Sequence, residues 1–396
     1  MFSERFHFSP KPNRWTRVLR AVREEGCDLL DLAVSNPTAA GFSWDAGTLL
    51  AALGNEEVSL YRPSSRGERH SREAVADFYK TTHRAAIAPA QIHLTASTSE
   101  AYTWILKLLC DPGDNVLVPA PSYPLISLLC SIESVRTNEW RLDWRRERWK
   151  IDFESLAAAC DARTKAIFCV SPNNPTGNVI GGEEREQLLA FARERHLPLV
   201  TDEVFLEYGD GGNAGESFAT ARDGDPLVFV LGGLSKTAAL PQIKAGWIVT
   251  VGGNAKEREG SLERLDFIAD SFLSVSTTAA LAVPELLKRA PEMRARIAGR
   301  LQKNFEQLQN WCARSRDGRQ LLPREGGWYG IVRLPRGIDE ERLCTDLLRH
   351  GNVIVHPGYF YDLDASEGGH LVFSLLAPEK LFELAFPRID YAIGRN

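Results

Sequence analysis

Gly232-Gly233-Leu234-Ser235-Lys236-Thr237-Ala238-Ala239-Leu240-Pro241-Gln242-Ile243-Lys244-Ala245-Gly246-Trp247 joins two apolar runs. Residues 226–231 lead into it and residues 245–251 lead out, and both runs read as buried strands. Lys236 then falls on a turn at the end of a core strand, among small residues that leave room for a ligand. Desolvation and a neighbouring cation lower a lysine pKa, and the freed amine becomes a nucleophile. A Ser-Lys pair is common, so the rest of the chain decides whether Lys236 is more than a solvated loop lysine.

Upstream, short apolar runs alternate with helical patterns. Residues 92–95 read as a strand, followed by the small turn Ala96-Ser97-Thr98-Ser99 and a helix over 100–110. A hydroxyl-rich turn at a helix start offers free N–H groups to an anion, where a plain cap needs one hydroxyl. Residues 115–119 form another strand, ending in Ala120-Pro121-Ser122-Tyr123-Pro124, which sets an aromatic ring on a stiff loop. The Trp-rich span 136–153 reads as paired strands on the rim. The continuous apolar run 165–170 fits a strand buried on both faces and ends in Asn173-Asn174-Pro175-Thr176-Gly177. A helix over 183–195 and a strand over 197–201 follow, ending in Asp202-Glu203-Val204.

Alternation of this kind predicts an α/β fold, with a large domain built on a mostly parallel sheet flanked by helices. Ligands gather at the carboxyl ends of such strands. Ser97, Asn174, Asp202 and Lys236 all lie just past a strand, so one site can hold them.

The ends of the chain read differently. Residues 15–25 have helical spacing, and the strand over 29–34 breaks at Ser35-Asn36-Pro37-Thr38. The loop 61–67 and the helix over 71–81 carry Arg62, Arg66, Arg69 and Arg72, either a solvated charged face or an anion-handling loop. Beyond 260, helices over 262–272, 285–313, 339–350 and 379–393 mix with strands over 326–334, 353–356 and 370–376. The expected division is a large domain over 45–270. A smaller α+β domain is made of 1–44 and 271–396.

Composition removes several classes. A net charge of −5 gives no reason to expect nucleic acid or an anionic membrane as partner. Seven scattered cysteines, none in a CxxC pair, indicate neither a disulfide framework nor a metal site. The first seven residues lack the apolar core of a signal peptide, and a cytoplasmic protein is expected. No GxGxxG follows a first strand, which disfavours a nicotinamide dehydrogenase.

Asn174-Pro175-Thr176-Gly177, Asp202-Glu203-Val204 and Ser235-Lys236, in this order and spacing, resemble the class I/II aminotransferases of fold type I, which use pyridoxal 5'-phosphate. The resemblance covers essentially the whole chain. It implies a homodimer acting on a small amino acid and a 2-oxo acid. It also implies that Lys236 holds the cofactor as a Schiff base and shuttles the α-proton, and that Asp202 pairs with the pyridine nitrogen. Asn174 would donate to the ring phenolate oxygen, and Tyr123 would stack on the ring. Ser97, Thr98, Ser235 and Lys244 would hold the phosphate, with Tyr61 reaching it from the other subunit.

This chain departs from the family pattern in three places. Lys244 stands where the family has an arginine, and Phe205 where it has a tyrosine. Val372 stands where an arginine takes the substrate carboxylate. Asn36, Arg66 and His370 are the candidate substrate-binding residues, with Arg62 as a further cation. Other pyridoxal-phosphate chemistry on this fold, C–S lysis or decarboxylation, stays open, as does a non-catalytic cofactor-binding dimer.

Overall fold

The computed structural model describes residues 3, 5, 11–145, 148–210, 215–273 and 275–395. Parts of the N-terminal arm, and the tip of the hairpin expected over 136–153, lie outside them. In chain order the strands are β1 (Leu30–Asp31), β2 (Ile92–Thr95), β3 (Asn115–Ala120), β4 (Arg136–Arg145), β5 (Arg148–Ile151), β6 (Thr164–Val170) and β7 (Leu199–Asp202). They continue as β8 (Val228–Gly233), β9 (Gly246–Val251), β10 (Gln320–Leu321), β11 (Tyr329–Arg333), β12 (Val353–Ile354), β13 (His356–Pro357) and β14 (His370–Ser374).

Eight strands form one sheet in the order β2-β9-β8-β7-β6-β3-β4-β5. β8, β7, β6, β3 and β4 run parallel, and β9 runs against both β2 and β8. β2 therefore shares the direction of the parallel set. The central strands are buried on both faces, which their unbroken Val, Ile, Leu and Phe runs require. The Trp-rich span is only partly a rim hairpin. β4 pairs parallel with β3 along its first six residues and antiparallel with β5 along its last four.

A second sheet, β10-β11-β14-β13, lies in the C-terminal part. The strand expected over 29–34 is short, but β1 pairs parallel with β12 and ties the N-terminal segment to it. The strand expected over 353–356 divides into β12 and β13. Helix Thr277–Ala313 runs on through Pro284 and Pro291, starting well before the expected 285. Helices Ala46–Leu53, Leu125–Ile132 and Phe153–Ala159 had no counterpart in the sequence reading. Among the described residues no helix is long and apolar enough to cross a membrane.

Candidate active site

The carboxyl ends of β2, β6, β7 and β8 bring Ser97, Asn174, Asp202 and Lys236 to one edge of the sheet. Lys236 does not sit on an open turn. It lies on a single helical turn, Leu234–Thr237, directly after β8. Three hydrogen bonds fix that turn. The Tyr208 hydroxyl donates to the Lys236 carbonyl at 2.7 Å, Thr237 Oγ1 to Glu207 at 3.1 Å, and Trp44 Nε1 to the Ala238 carbonyl at 2.8 Å.

The amine of Lys236 lies 4.8 Å from the Trp328 ring centroid and 5.7 Å from that of Phe205. Burial among these rings pushes the amine down to about 8, and the Asp202 charge pulls it back up. Asp202 is itself buried, and burial raises its pKa. The Val204 N–H at 3.0 Å, the Tyr102 hydroxyl at 2.9 Å and the Lys236 charge work against that rise. Burial is the larger influence on both groups, and the opposite charge of each favours the ionised form of the other.

Asn174 is buried, and its Oδ1 has no hydrogen-bond partner. Its amide hydrogen-bonds Tyr329. An open hydrogen-bond position on a buried amide costs about 1–3 kcal/mol, which a ligand at this point would recover. The Asn174 loop is held from beneath: Ser122 Oγ donates to Asn173 Oδ1 at 2.9 Å, and Asn173 Nδ2 to the Pro121 carbonyl at 2.9 Å. This ties Tyr123 to the same edge. The Tyr123 ring is half exposed, 6.4 Å from that of Tyr361, which in turn lies 6.4 Å from that of Tyr329.

Ser97 caps helix Thr98–Leu109, its hydroxyl accepting from the Glu100 N–H at 3.2 Å. The helix start packs closely on Gly246, which has no side chain, and lies within ordinary contact of Gly233. A Cβ on Gly246 would stand 3.1 Å from the Ser97 carbonyl carbon, and one on Gly233 would stand 3.8 Å from Thr98 Cγ2. Ser235 lies on the Lys236 turn itself. Free amides at such a helix start favour an anion.

Lys244 is exposed, with a left-handed φ of 60°. Tyr61 is 76% exposed. Asn36 is exposed, and its Oδ1 accepts from Thr38 N at 3.0 Å. Arg66 is committed to a two-pronged ion pair with Asp266 at 2.7 and 2.6 Å, and Arg62 pairs with Glu57 at 2.7 Å. His370 lies opposite Arg333, while Tyr329 lies opposite Ser374. Four residues of strand put His370 about 13 Å along from the Tyr329 end. Burial pushes its imidazole down to about 4, so it carries no charge at neutral pH.

Tyr102, Tyr208, Trp328, Tyr329, Tyr361 and His356 were absent from the expected set. Gly326-Gly327-Trp328-Tyr329-Gly330 held the one available signal, two aromatic residues between glycines at a strand start. Gly177 has φ 68°, and a Cβ there would meet the Gly326 carbonyl at 2.5 Å, so this glycine segment presses on the Asn174 loop.

The family model for class I and II aminotransferases matches residues 30–384. The chain belongs to that family. The glutamate-pyruvate aminotransferase AlaA of Escherichia coli is 28% identical over 270 residues, 68% of this chain. The match spans only 65% of that relative's length. The alanine aminotransferase of Mycobacterium bovis is 27% identical over 368 residues, covering 89% of this chain and 82% of the relative. In fold, the chain is similar to a solved alanine aminotransferase from Pyrococcus furiosus, with TM-score 0.88, 22% identity and full coverage of both chains.

Proposed function

We propose that the chain is a pyridoxal-phosphate-dependent aminotransferase moving an amino group between a small amino acid and a 2-oxo acid. One observation carries this reading: a buried amine, Lys236, and a buried carboxylate, Asp202, stand at the ends of adjacent strands β8 and β7 with chiefly each other as counter-charge. The hydroxyl-lined helix start fits the phosphate of such a cofactor, and a donating Asn174 amide fits its ring oxygen.

When bound, pyridoxal phosphate supplies the electron sink that stabilises a carbanion. The chain's own residues do the rest. Lys236 Nζ would hold the cofactor covalently and, once displaced by the substrate amine, would carry the proton from the substrate's α-carbon to the cofactor carbon the lysine had held. A pKa near 8 leaves about a tenth of the amine neutral at pH 7. Asp202, whose ionised form the Val204 N–H, Tyr102 and Lys236 favour against the cost of burial, would hold the ring nitrogen protonated. Asn174 binds the ring oxygen, with Tyr329 beside it in a protein that has Phe205 at the tyrosine position. Tyr123 covers the ring. Ser97, Thr98, Ser235 and Lys244 take the phosphate.

Tyr61 of a second copy completes that phosphate site in the homodimer we infer. The exposure of Leu60, Tyr61, Phe267 and Leu273, at 48, 76, 77 and 65%, supports such an interface. We take 45–270 as the cofactor-binding domain and 1–44 with 271–396 as the smaller one. Scattered free cysteines support work in a reducing cytoplasm.

A half-reaction screen tests the reading. The cofactor-loaded protein is mixed with single amino acids, and the cofactor absorbance reports amino transfer. Conversion by at least one amino acid, reversed by its cognate or another 2-oxo acid, is expected. Cofactor bound at Lys236 with no amino transfer from any amino acid would leave C–S lysis or decarboxylation, which Val372 at the carboxylate position leaves open.

A further inference from the structure

The small sheet turns one face to the site, and the register of its strands identifies the residues on it. Ile331 lies opposite Val372 on one side, His356 opposite Val372 on the other, and Tyr329 opposite Ser374. Directly paired residues in antiparallel strands share a face. Tyr329 hydrogen-bonds Asn174, so this is the face that looks at the site. Phe373 points the other way, onto Trp311 and Phe382. The imidazole nearest Val372 on the site-facing side is therefore His356.

The ring of His356 is fixed. Nδ1 lies 3.0 Å from the Tyr361 hydroxyl, and the ring meets Trp15 and Phe360 at centroid distances of 5.4 and 5.2 Å. Among the described residues its Nε2 has no hydrogen-bond partner, nor is that atom sealed from solvent. A Tyr361 hydroxyl donating to Nδ1 places the ring proton on Nε2, which becomes an outward donor. Burial pushes the imidazole down to about 4, so it meets a ligand as a neutral N–H group.

We propose that His356, oriented by Tyr361, receives the substrate carboxylate through Nε2–H in place of a cation at position 372. The proposal rests on the aminotransferase reading and names the missing anchor of that site. The alternatives are engaged or distant: Arg66 holds Asp266, Arg62 holds Glu57, and His370 stands two residues further from the Tyr329 end than Val372. A neutral donor grips a carboxylate less firmly than a guanidinium fork. The carboxylate is therefore bound loosely.

Dissociation constants for 3-phenylpropanoate and for its uncharged amide, measured by calorimetry on the cofactor-loaded protein, test this. The wild type should prefer the carboxylate. His356→Leu should lose about ten- to hundredfold in carboxylate affinity and little for the amide. His356→Gln, which restores an N–H donor, should regain most of the loss. Should the leucine variant not fold, Tyr361→Phe gives the same comparison with a smaller loss of about threefold. A wild type without carboxylate preference, a ratio unchanged within twofold in His356→Leu, or a glutamine variant as poor as leucine overturns the proposal. Borohydride labelling of Lys236 in each protein separates the two readings: labelled protein with an unchanged ratio overturns the His356 assignment alone, whereas an unlabelled wild type overturns the aminotransferase reading and this proposal with it.

Discussion

The two walls of the site are built from opposite materials. The edge of the large sheet supplies charges and hydrogen-bonding groups: Lys236, Asp202, Asn174 and the hydroxyls of the Ser97 turn. The face of the small sheet supplies rings and aliphatic groups: Tyr329, Ile331, Val372 and His356. On the first wall ionisation is set in advance, because burial drives the Lys236 amine down and the Asp202 carboxyl up toward one another. On the second wall the nearest imidazole is neutral, and the arginines close in sequence to Tyr61 are already paired. In the proposed reading the first wall holds the cofactor and the second chooses the substrate. Changes on the first should stop the reaction, and changes on the second should redirect it.

The largest effect is expected at Lys236. Lys236→Ala should keep its fold and lose amino transfer by about a thousandfold or more, since attachment and proton transfer fail together. Asp202→Asn comes next, with a loss in kcat of about a hundredfold measured at saturating substrate, because a neutral amide cannot hold the ring nitrogen protonated. If either variant turned over normally, the division between the two walls would collapse.

The pH dependence of cofactor uptake sharpens the same point. Only the neutral amine attacks, so the rate of pyridoxal-phosphate uptake by cofactor-free protein should rise about tenfold per pH unit up to about 8 and then level off. Asp202 raises the Lys236 pKa, so the Asp202→Asn profile should level off at lower pH. Tyr102→Phe should act more mildly. It removes one donor to the carboxylate, raises the Asp202 pKa further, and costs about tenfold in kcat, with a smaller loss at higher pH.

The smallest effect on the site is expected from Arg66→Ala, since the pair it makes with Asp266 anchors a loop. Thermal unfolding should register a loss of about 1–2 kcal/mol, with cofactor labelling unchanged. Arg66 and His93 hold the Asp266 carboxyl well below the usual carboxylate range against the cost of burial. A depressed carboxylate stabilises the fold above its unfolded pKa near 3.8 and loses that contribution as pH falls through the folded value, so the difference between Arg66→Ala and wild type should shrink in strong acid.

The first wall was legible in the sequence because strand ends are local signals. Gly232 to Trp247 marks two strands and the turn between them, and Asn174 and Asp202 follow apolar runs that can only be buried strands. The second wall was not legible. Whether His356 or His370 stands beside the site depends on which residue of β13 or β11 lies opposite Val372, and that register is set by pairing between segments with long connections. Alternation along β14 puts His370 on the same face as Val372 but says nothing of distance from Tyr329. The ion pair of Arg66 is hidden for a related reason: its partner Asp266 lies two hundred residues away on helix Ala255–Phe272. Helix Leu125–Ile132 escaped because Leu-Ile-Ser-Leu-Leu-Cys-Ser-Ile is too short and too uniformly apolar to show a period.

The central claim is that Lys236 is the amine at the heart of the site. Pyridoxal phosphate is bound to the full chain, the complex is reduced with borohydride, and the digested peptides are mapped by mass spectrometry. The account predicts one pyridoxyl group per chain, on the peptide carrying Leu234-Ser235-Lys236-Thr237, and none after Lys236→Ala. A stoichiometric label on Lys244 or any other lysine, with Lys236 unmodified, would contradict it.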